Sequence, residues 1–213
     1  FYNCTSLTTA VIGTSVTRIG DYAFYNCALT RLTTPSTLVT IGKYAFAYNT
    51  SLTRVTLRNN LQTIDDGAFK GCSALTTINW PSSINYIGAH AFEKCSSLAS
   101  VTIPVLVDEI NDYTFANCTS LASVTINGEI TRIGDYAFIN TVITEFDFGE
   151  VLEVIGDSAF ENTKLSSIYL PDTLVEIGRS AFARCRLLSE VSIPDSVTTV
   201  GAYAFYLNAV GLH

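Results

Sequence analysis

The sequence predicts a solenoid, a stack of short coils with a parallel sheet along one face, and three observations carry that reading. Ten of the twelve phenylalanines fall on one ruler: Phe1, Phe24, Phe46, Phe69, Phe92, Phe115, Phe138, Phe160, Phe182 and Phe205, at intervals of 22 or 23 residues. Other apolar columns keep the same beat, with 12 residues separating Leu52 from Ile64, Leu121 from Ile133 and Leu188 from Val200. The short repeats lose their residue at one step, between Cys27 and Leu29, Thr141 and Ile143, and Thr163 and Leu165. Deletions confined to one step mark a surface turn that tolerates a change of length. A period in the low twenties belongs to architectures whose units cannot bury their apolar edge alone, so stacking supplies the core. Residues 1–213 read as a single array of about nine repeats of 22–23 residues. Neither end carries a polar sealing repeat, so the expectation is a piece of a longer array.

Each element of the repeat has its own reason. In Leu98-Ala99-Ser100-Val101-Thr102-Ile103-Pro104, the alternation of Val101 and Ile103 buries one face of a strand. All five prolines (Pro35, Pro81, Pro104, Pro171 and Pro194) follow this strand, where a missing N–H ends the ladder. A second apolar pair follows, as in Leu174 and Ile177. The column Gly20, Gly42, Asp65, Gly88, Asn111, Gly134, Gly156, Gly178 and Gly201 is rich in residues that tolerate positive φ, which predicts a left-handed corner. A compact 3₁₀ or α turn is then expected to carry the Ala-Phe pair inward.

The recurring pattern L-x-x-V-x-I-P-x-S/T-x-x-x-I-G-x-x-A-F-x-x-C resembles the BspA-like, or treponemal-type, leucine-rich repeats, and Ile193-Pro194-Asp195-Ser196-Val197 and Ile133-Gly134-Asp135-Tyr136-Ala137-Phe138 match it closely. The resemblance covers the whole chain. It implies a leucine-rich-repeat solenoid, a right-handed superhelix with the parallel sheet on its concave face and short strands or turns on its convex face. It also implies a cell-surface or secreted protein linked to adhesion or to binding host matrix proteins, and it brings no catalytic motif.

Composition agrees. The chain is 48% hydrophobic and 15% charged, with no apolar run long enough to span a bilayer. The six cysteines, Cys4, Cys27, Cys72, Cys95, Cys118 and Cys185, share the column three residues after the phenylalanine. Stacked in register, their Cβ atoms stay near the ~4.8 Å coil spacing, beyond the ~3.8 Å mean of a disulfide. The spacing also lacks converging metal ligands, so a buried ladder bonding loop backbone is expected. Of the two histidines, His90 stands in a mostly tyrosine column without an evident catalytic or metal partner, and His213 is terminal. The tyrosines are expected to line the convex side with their hydroxyls wet. The acidic column Asp21, Asp66, Asp112, Asp135 and Asp157 lacks the pattern of a calcium loop and reads as an N-cap for the following turn. Sequons at Asn3, Asn49 and Asn117 are compatible with an extracellular location without arguing for one.

The outward strand positions are where a repeat protein binds. The candidate ligand-binding residues are Arg31, Thr33, Arg54, Thr56, Asn79, Thr102, Thr125, Glu145, Asp147, Tyr169, Glu190 and Ser192. Charge drifts along the array. Residues 1–106 carry 7 Lys/Arg and 4 Asp/Glu, and residues 107–213 carry 5 and 15, which together give the net −7. No basic stripe interleaves with stacking aromatics, which excludes a nucleic-acid reading. The expected function is non-catalytic protein binding or adhesion at a cell surface or outside the cell, without cofactor or metal. The partner would be an extracellular-matrix, host or cell-surface protein. The alternative is self-association as a subunit of a filament or surface coat. A third reading, polysaccharide or ice binding by Thr33, Thr56, Thr102 and Thr125, is broken by Asn79, Asp147 and Tyr169.

Overall fold

The computed structural model describes residues 1–209, so His213 lies outside the described residues. The described residues wind into a parallel solenoid of about eight turns without helices. Two ladders run along it. The first joins strands Arg31–Thr33, Arg54–Thr56 and Thr77–Asn79, then separately Ser100–Ile103 and Ser123–Ile126, and it ends in an isolated parallel bridge between Ser167 and Glu190. The second is built of two-residue strands. Four run from Arg18–Ile19 to Tyr86–Ile87 and five from Glu109–Ile110 to Thr199–Val200. Every pairing is parallel and in register from coil to coil, as Ile41 on Ile64 and Val124 on Val101 show.

The phenylalanine ruler is the core. Phe46, Phe69, Phe92, Phe115, Phe138, Phe160 and Phe182 are fully buried and stack in sequence with ring centroids 5.3–5.7 Å apart. The repeat length sets this stack: one coil lifts the chain by one strand spacing, so the same side chain returns above itself.

Both ladders part at one place. Among the described residues, neither strand pairing crosses from Thr77–Asn79 to Ser100–Ile103 or from Tyr86–Ile87 to Glu109–Ile110. Trp80 stands in the inward column between Leu57 and Ile103, and its ring meets Phe92 edge-on at 5.4 Å. Asn79 turns back, accepting from Leu57 N at 3.0 Å and donating to Leu57 O at 3.2 Å. A cleft of about 370 Å³ between Asn79, Trp80, Thr102 and Asn127 marks the seam. On the phenylalanine side the coils stay joined, with His90 N, Phe92 N and Lys94 N bonded to the next coil's carbonyls at 2.8–2.9 Å.

The convex turns differ from expectation in three respects, each with a physical cause. They are neither 3₁₀ nor α. Bonds alternate between turns within a coil (Ala23 N to Gly20 O, Tyr25 N to Tyr22 O) and bonds to the next coil (Tyr22 N to Lys43 O, Phe24 N to Ala45 O, Asn26 N to Ala47 O). A helix would leave those second donors without their inter-coil acceptors. Left-handed backbone also sits elsewhere: Tyr22, Tyr44, His90, Tyr113 and Tyr136 have φ of 52–59°, and Asn26, Asn117, Asn140 and Asn162 have φ of 50–60°. A residue with a Cβ there costs about 1–2 kcal/mol, offset by its bond across the coil boundary and, for the aromatics, by stacking.

The corner glycines serve close approach instead. A Cβ on Gly134 would collide with Asp112 Oδ1 and lie 2.7 Å from Asp112 N. That carboxylate is the third difference, because it does not cap its own turn. Asp112 Oδ1 accepts from Asp135 N at 2.9 Å, Asp135 Oδ1 from Asp157 N at 2.8 Å, and Asp157 Oδ1 from Arg179 N at 2.7 Å, each one coil onward. Coils that follow Asp21, Asp66, Asp112, Asp135 and Asp157 carry glycine and those that follow Lys43 and Ala89 carry Asp65 and Asn111, while Gly201, after Arg179, packs on the backbone of Gly178 and Arg179 with no aspartate beneath it. Gly134→Ala should destabilise the array by about 1–3 kcal/mol. Denaturant titration checks it, and an unchanged midpoint would remove the steric account.

Candidate functional site

The period-two strand pattern holds on the concave face. Arg31, Thr33, Arg54, Asn79, Thr102, Thr125, Glu145, Asp147, Tyr169, Glu190 and Ser192 are exposed, and Thr56 is half-buried. The inward partners Leu32, Val55, Val101, Phe146 and Ile168 are buried beneath them. The structure thus gathers all twelve candidates on one surface, spread along its length. Asn79 is engaged with Leu57 as described, and so presents less of its amide than its neighbours.

Two open depressions lie toward the ends of this face. One, of about 610 Å³, is lined by Val11, Arg31, Thr33, Pro35 and Arg58. Arg58 went unnoticed in the sequence because five of its column mates are prolines. The other, of about 680 Å³, lies among Ser123, Glu145, Asp147, Phe148 and Tyr169. Here the first ladder has lapsed, since both inward positions of the coil hold phenylalanine, Phe146 and Phe148, packed against Phe138 and Phe160. Basic and acidic depressions therefore occupy one face with a hydroxyl- and amide-lined stretch between them.

The buried polar columns complete the site's scaffold. All six cysteines are free. Buried thiols donate to the phenylalanine carbonyl one coil back: Cys27 to Phe1 O at 3.1 Å, Cys72 to Phe46 O at 3.2 Å, Cys118 to Phe92 O at 3.2 Å and Cys185 to Phe160 O at 3.2 Å. Burial pushes the Cys72 and Cys118 thiols up to about 12, which removes the thiolate needed for nucleophilic or metal chemistry. No group of metal-ligating side chains forms among the described residues. Of the sequons, Asn49 is fully buried with its amide bonded to Leu29 N, Phe24 O and Phe46 O, so this fold leaves no room for a glycan there. Asn117 is half-buried and accepts from Asn140, while Asn3 is exposed and accepts from Asn26.

The BspA type leucine-rich-repeat pattern matches residues 1–122 and 85–210, in six copies. This chain belongs to that family. Solved structures agree on the fold: a leucine-rich-repeat protein from Eubacterium ventriosum is 20% identical with a TM-score of 0.57, covering 93% of this chain and 64% of its own. The pneumococcal vaccine antigen PcpA is 21% identical with a TM-score of 0.53, covering 90% of this chain and 60% of its own. A leucine-rich cell surface protein from Faecalibacterium prausnitzii is 24% identical with a TM-score of 0.50, covering 95% of this chain and 77% of its own. No curated protein matches the chain.

This BspA-type array also holds a charged cluster that joins two neighbouring columns. His90, which the sequence left without a partner, meets Glu93 through Nδ1 at 2.6 Å, and Lys70 Nζ reaches the same Oε2 at 2.7 Å. Glu93 is only 7% exposed. The His90 ring stacks on Tyr113 and Tyr113 on Tyr136, each at 4.6 Å, extending the expected convex tyrosine stripe. Burial raises the Glu93 pKa, but the hydrogen bonds and charges of Lys70 and His90 outweigh it and hold the carboxyl below its usual range. A depressed carboxylate stabilises the fold above its unfolded pKa and loses that contribution as pH falls through the folded value. Glu93→Gln should therefore be less stable than the parent at neutral pH, with the gap closing in acid. Melting temperatures from pH 7 down to 2.5 check this, and a constant gap would count against the linkage.

Proposed function

We propose that this array is a non-catalytic binding or adhesion module, acting outside the cell or at its surface through the concave face. The observation that carries the reading is the character of that face. Its outward positions are polar, exposed and backed by a rigid stacked core, whereas the reactive side chains are buried. Deprotonation of the deep thiols is suppressed, the carboxylates of the corner column accept backbone N–H groups, and Glu93 is held by Lys70 and His90. Hydroxyl-rich strands with separated charges offer many weak polar contacts over a long surface, which suits a folded protein partner better than a small molecule. Membership of a leucine-rich-repeat family, and a structural neighbour described as a cell surface protein, support the same reading.

The test is a binding panel of immobilised extracellular-matrix and host-surface proteins, measured by biolayer interferometry. A concave variant, Thr102→Arg with Thr125→Arg, should lose any specific signal, while a convex variant, Tyr136→Ser, should retain it. Loss in the convex variant alone would place recognition on the other side and overturn the proposal.

A further inference from the structure

Charge is arranged in two unlike ways on this molecule. On the turn side and along the second ladder, basic residues other than Lys164 and Arg186 have acidic neighbours, among them Arg18 with Asp21, Lys43 with Asp66, Lys70 with Glu93, Arg132 with Asp112, Arg179 with Asp157 and Arg184 with Glu161. On the concave face, among the described residues, none of Arg31, Arg54, Arg58, Glu145, Asp147 and Glu190 has an ion-pair partner. These charges are also sorted along the axis, bases toward the first residue and acids toward the last.

We propose that the concave face closes on a second copy of this chain, antiparallel and related by a two-fold axis through Ser100 and Thr102. Counting strand positions from Thr9, Arg31 lies on the second coil, Arg54 on the third and Ser100 on the fifth, with Glu145 and Asp147 on the seventh and Tyr169 on the eighth. A two-fold axis at the fifth coil sets the third against the seventh and the second against the eighth. Arg54 then meets Glu145 and Asp147 of the second copy, each about 10 Å from the axis at ~4.8 Å per coil. Arg31 meets the ring of Tyr169, which is 85% exposed and suited to a guanidinium over its face. Every contact occurs twice, as an isologous interface requires. The middle of the face, Thr77, Asn79, Ser100, Thr102, Ser123 and Thr125, is uncharged, and its hydroxyl and amide groups both donate and accept. It is compatible with itself. A parallel pairing would instead set arginine on arginine and acid on acid.

The choice of a second copy follows from the gradient. Another partner would have to carry the inverse order of charge over the same length, and this chain already carries it. The inference stands apart from the adhesion reading, although a face closed in this way would have to open for any other ligand.

Sedimentation equilibrium of the 213-residue chain tests it. The parent should reach the dimer mass at 50 mM NaCl and associate at least about tenfold more weakly at 500 mM, because salt screens paired surface charge. Arg31→Glu with Arg54→Glu should be monomeric, and so should Glu145→Arg with Asp147→Arg. Mixed in equal amounts, those two variants should recover the dimer mass, which also shows that both are folded. A monomeric parent at every salt concentration, a mixture that stays monomeric, or mass that grows without limit would each overturn the antiparallel dimer. If the parent is monomeric and the same variants lose binding to a panel protein, the face serves that partner and not a second copy.

Discussion

Phe115→Ala should lower the stability of the array by about 3–5 kcal/mol, the range found when a fully buried phenylalanine is truncated and its neighbours cannot collapse into the space. Phe115 is fully buried between Phe92 at 5.7 Å and Phe138 at 5.6 Å, with interplanar angles of 9° on both sides. Its neighbours are held by the backbone bonds that join each coil to the next, so the gap stays open. In a solenoid the stability is close to a sum of coil and interface contributions, and this change weakens two interfaces at once. Phe1→Ala is the internal comparison. That ring is 69% exposed and stacked on one side only, and its loss should cost well under half as much. Urea denaturation of both variants checks the pair. Equal losses would mean that the phenylalanine stack does not organise the core.

Asn49→Leu comes next, with an expected loss of about 3 kcal/mol despite its apolar surroundings. Asn49 is one of four residues that replace cysteine in its column, with Thr141, Thr163 and Asn208, and the short repeat before it gives its amide a partner. In full-length repeats the leucine N–H closes a turn within its own coil, as Leu52 N does to Asn49 O and Leu75 N to Cys72 O, both at 3.0 Å. The missing residue between Cys27 and Leu29 removes that turn, and Asn49 Oδ1 accepts from Leu29 N instead, at 3.2 Å. Its Nδ2 meanwhile donates to Phe24 O at 2.7 Å and Phe46 O at 2.9 Å. Leucine would leave Leu29 N and Phe24 O unpaired in a dry interior, each costing ~1–3 kcal/mol before relaxation, while Phe46 O keeps its bond from Cys72 Sγ. Asn49→Cys should fall between the two, since a thiol in this column can still donate to the phenylalanine one coil back but offers Leu29 N a poor acceptor. If leucine proved as stable as asparagine, the account of the short repeat would be wrong.

The fold was legible because its rule is repetition. Phenylalanine, leucine and valine recur at a fixed interval, and a recurring apolar residue in a stacked coil has only its own equivalents to pack against. The outward strand columns were equally legible, from the period of two. Contacts that relate unlike residues on adjacent coils were not. Glu93 shares its column with Lys70 one coil earlier and Glu161 three coils later, but also with Ala47, Ala116 and Ile139, so the column shows charge without showing that Glu93 is buried or that His90 from another column joins it. Glycine at the corner was misread as a conformational need when it is a spatial one. A partial clue was present in the sequence, in Asp65 and Asn111 following the coils of Lys43 and Ala89, which lack the aspartate, although Gly201 also follows a coil without it, that of Arg179. Left-handed tyrosines were hidden for the opposite reason. Their rings give them a visible purpose, and only Gly67 in the same column hinted at the backbone beneath, at φ 61°.

The seam at Trp80 bears on how this molecule carries load. Both ladders are interrupted there and the cleft lies on the strand side, while the bonds from His90, Phe92 and Lys94 run on unbroken. A rod built this way is stiff against stretching along its phenylalanine edge and compliant against flexing at one joint. Force applied across it would be taken up by a single articulation near the middle, and the two halves on either side would keep their shape.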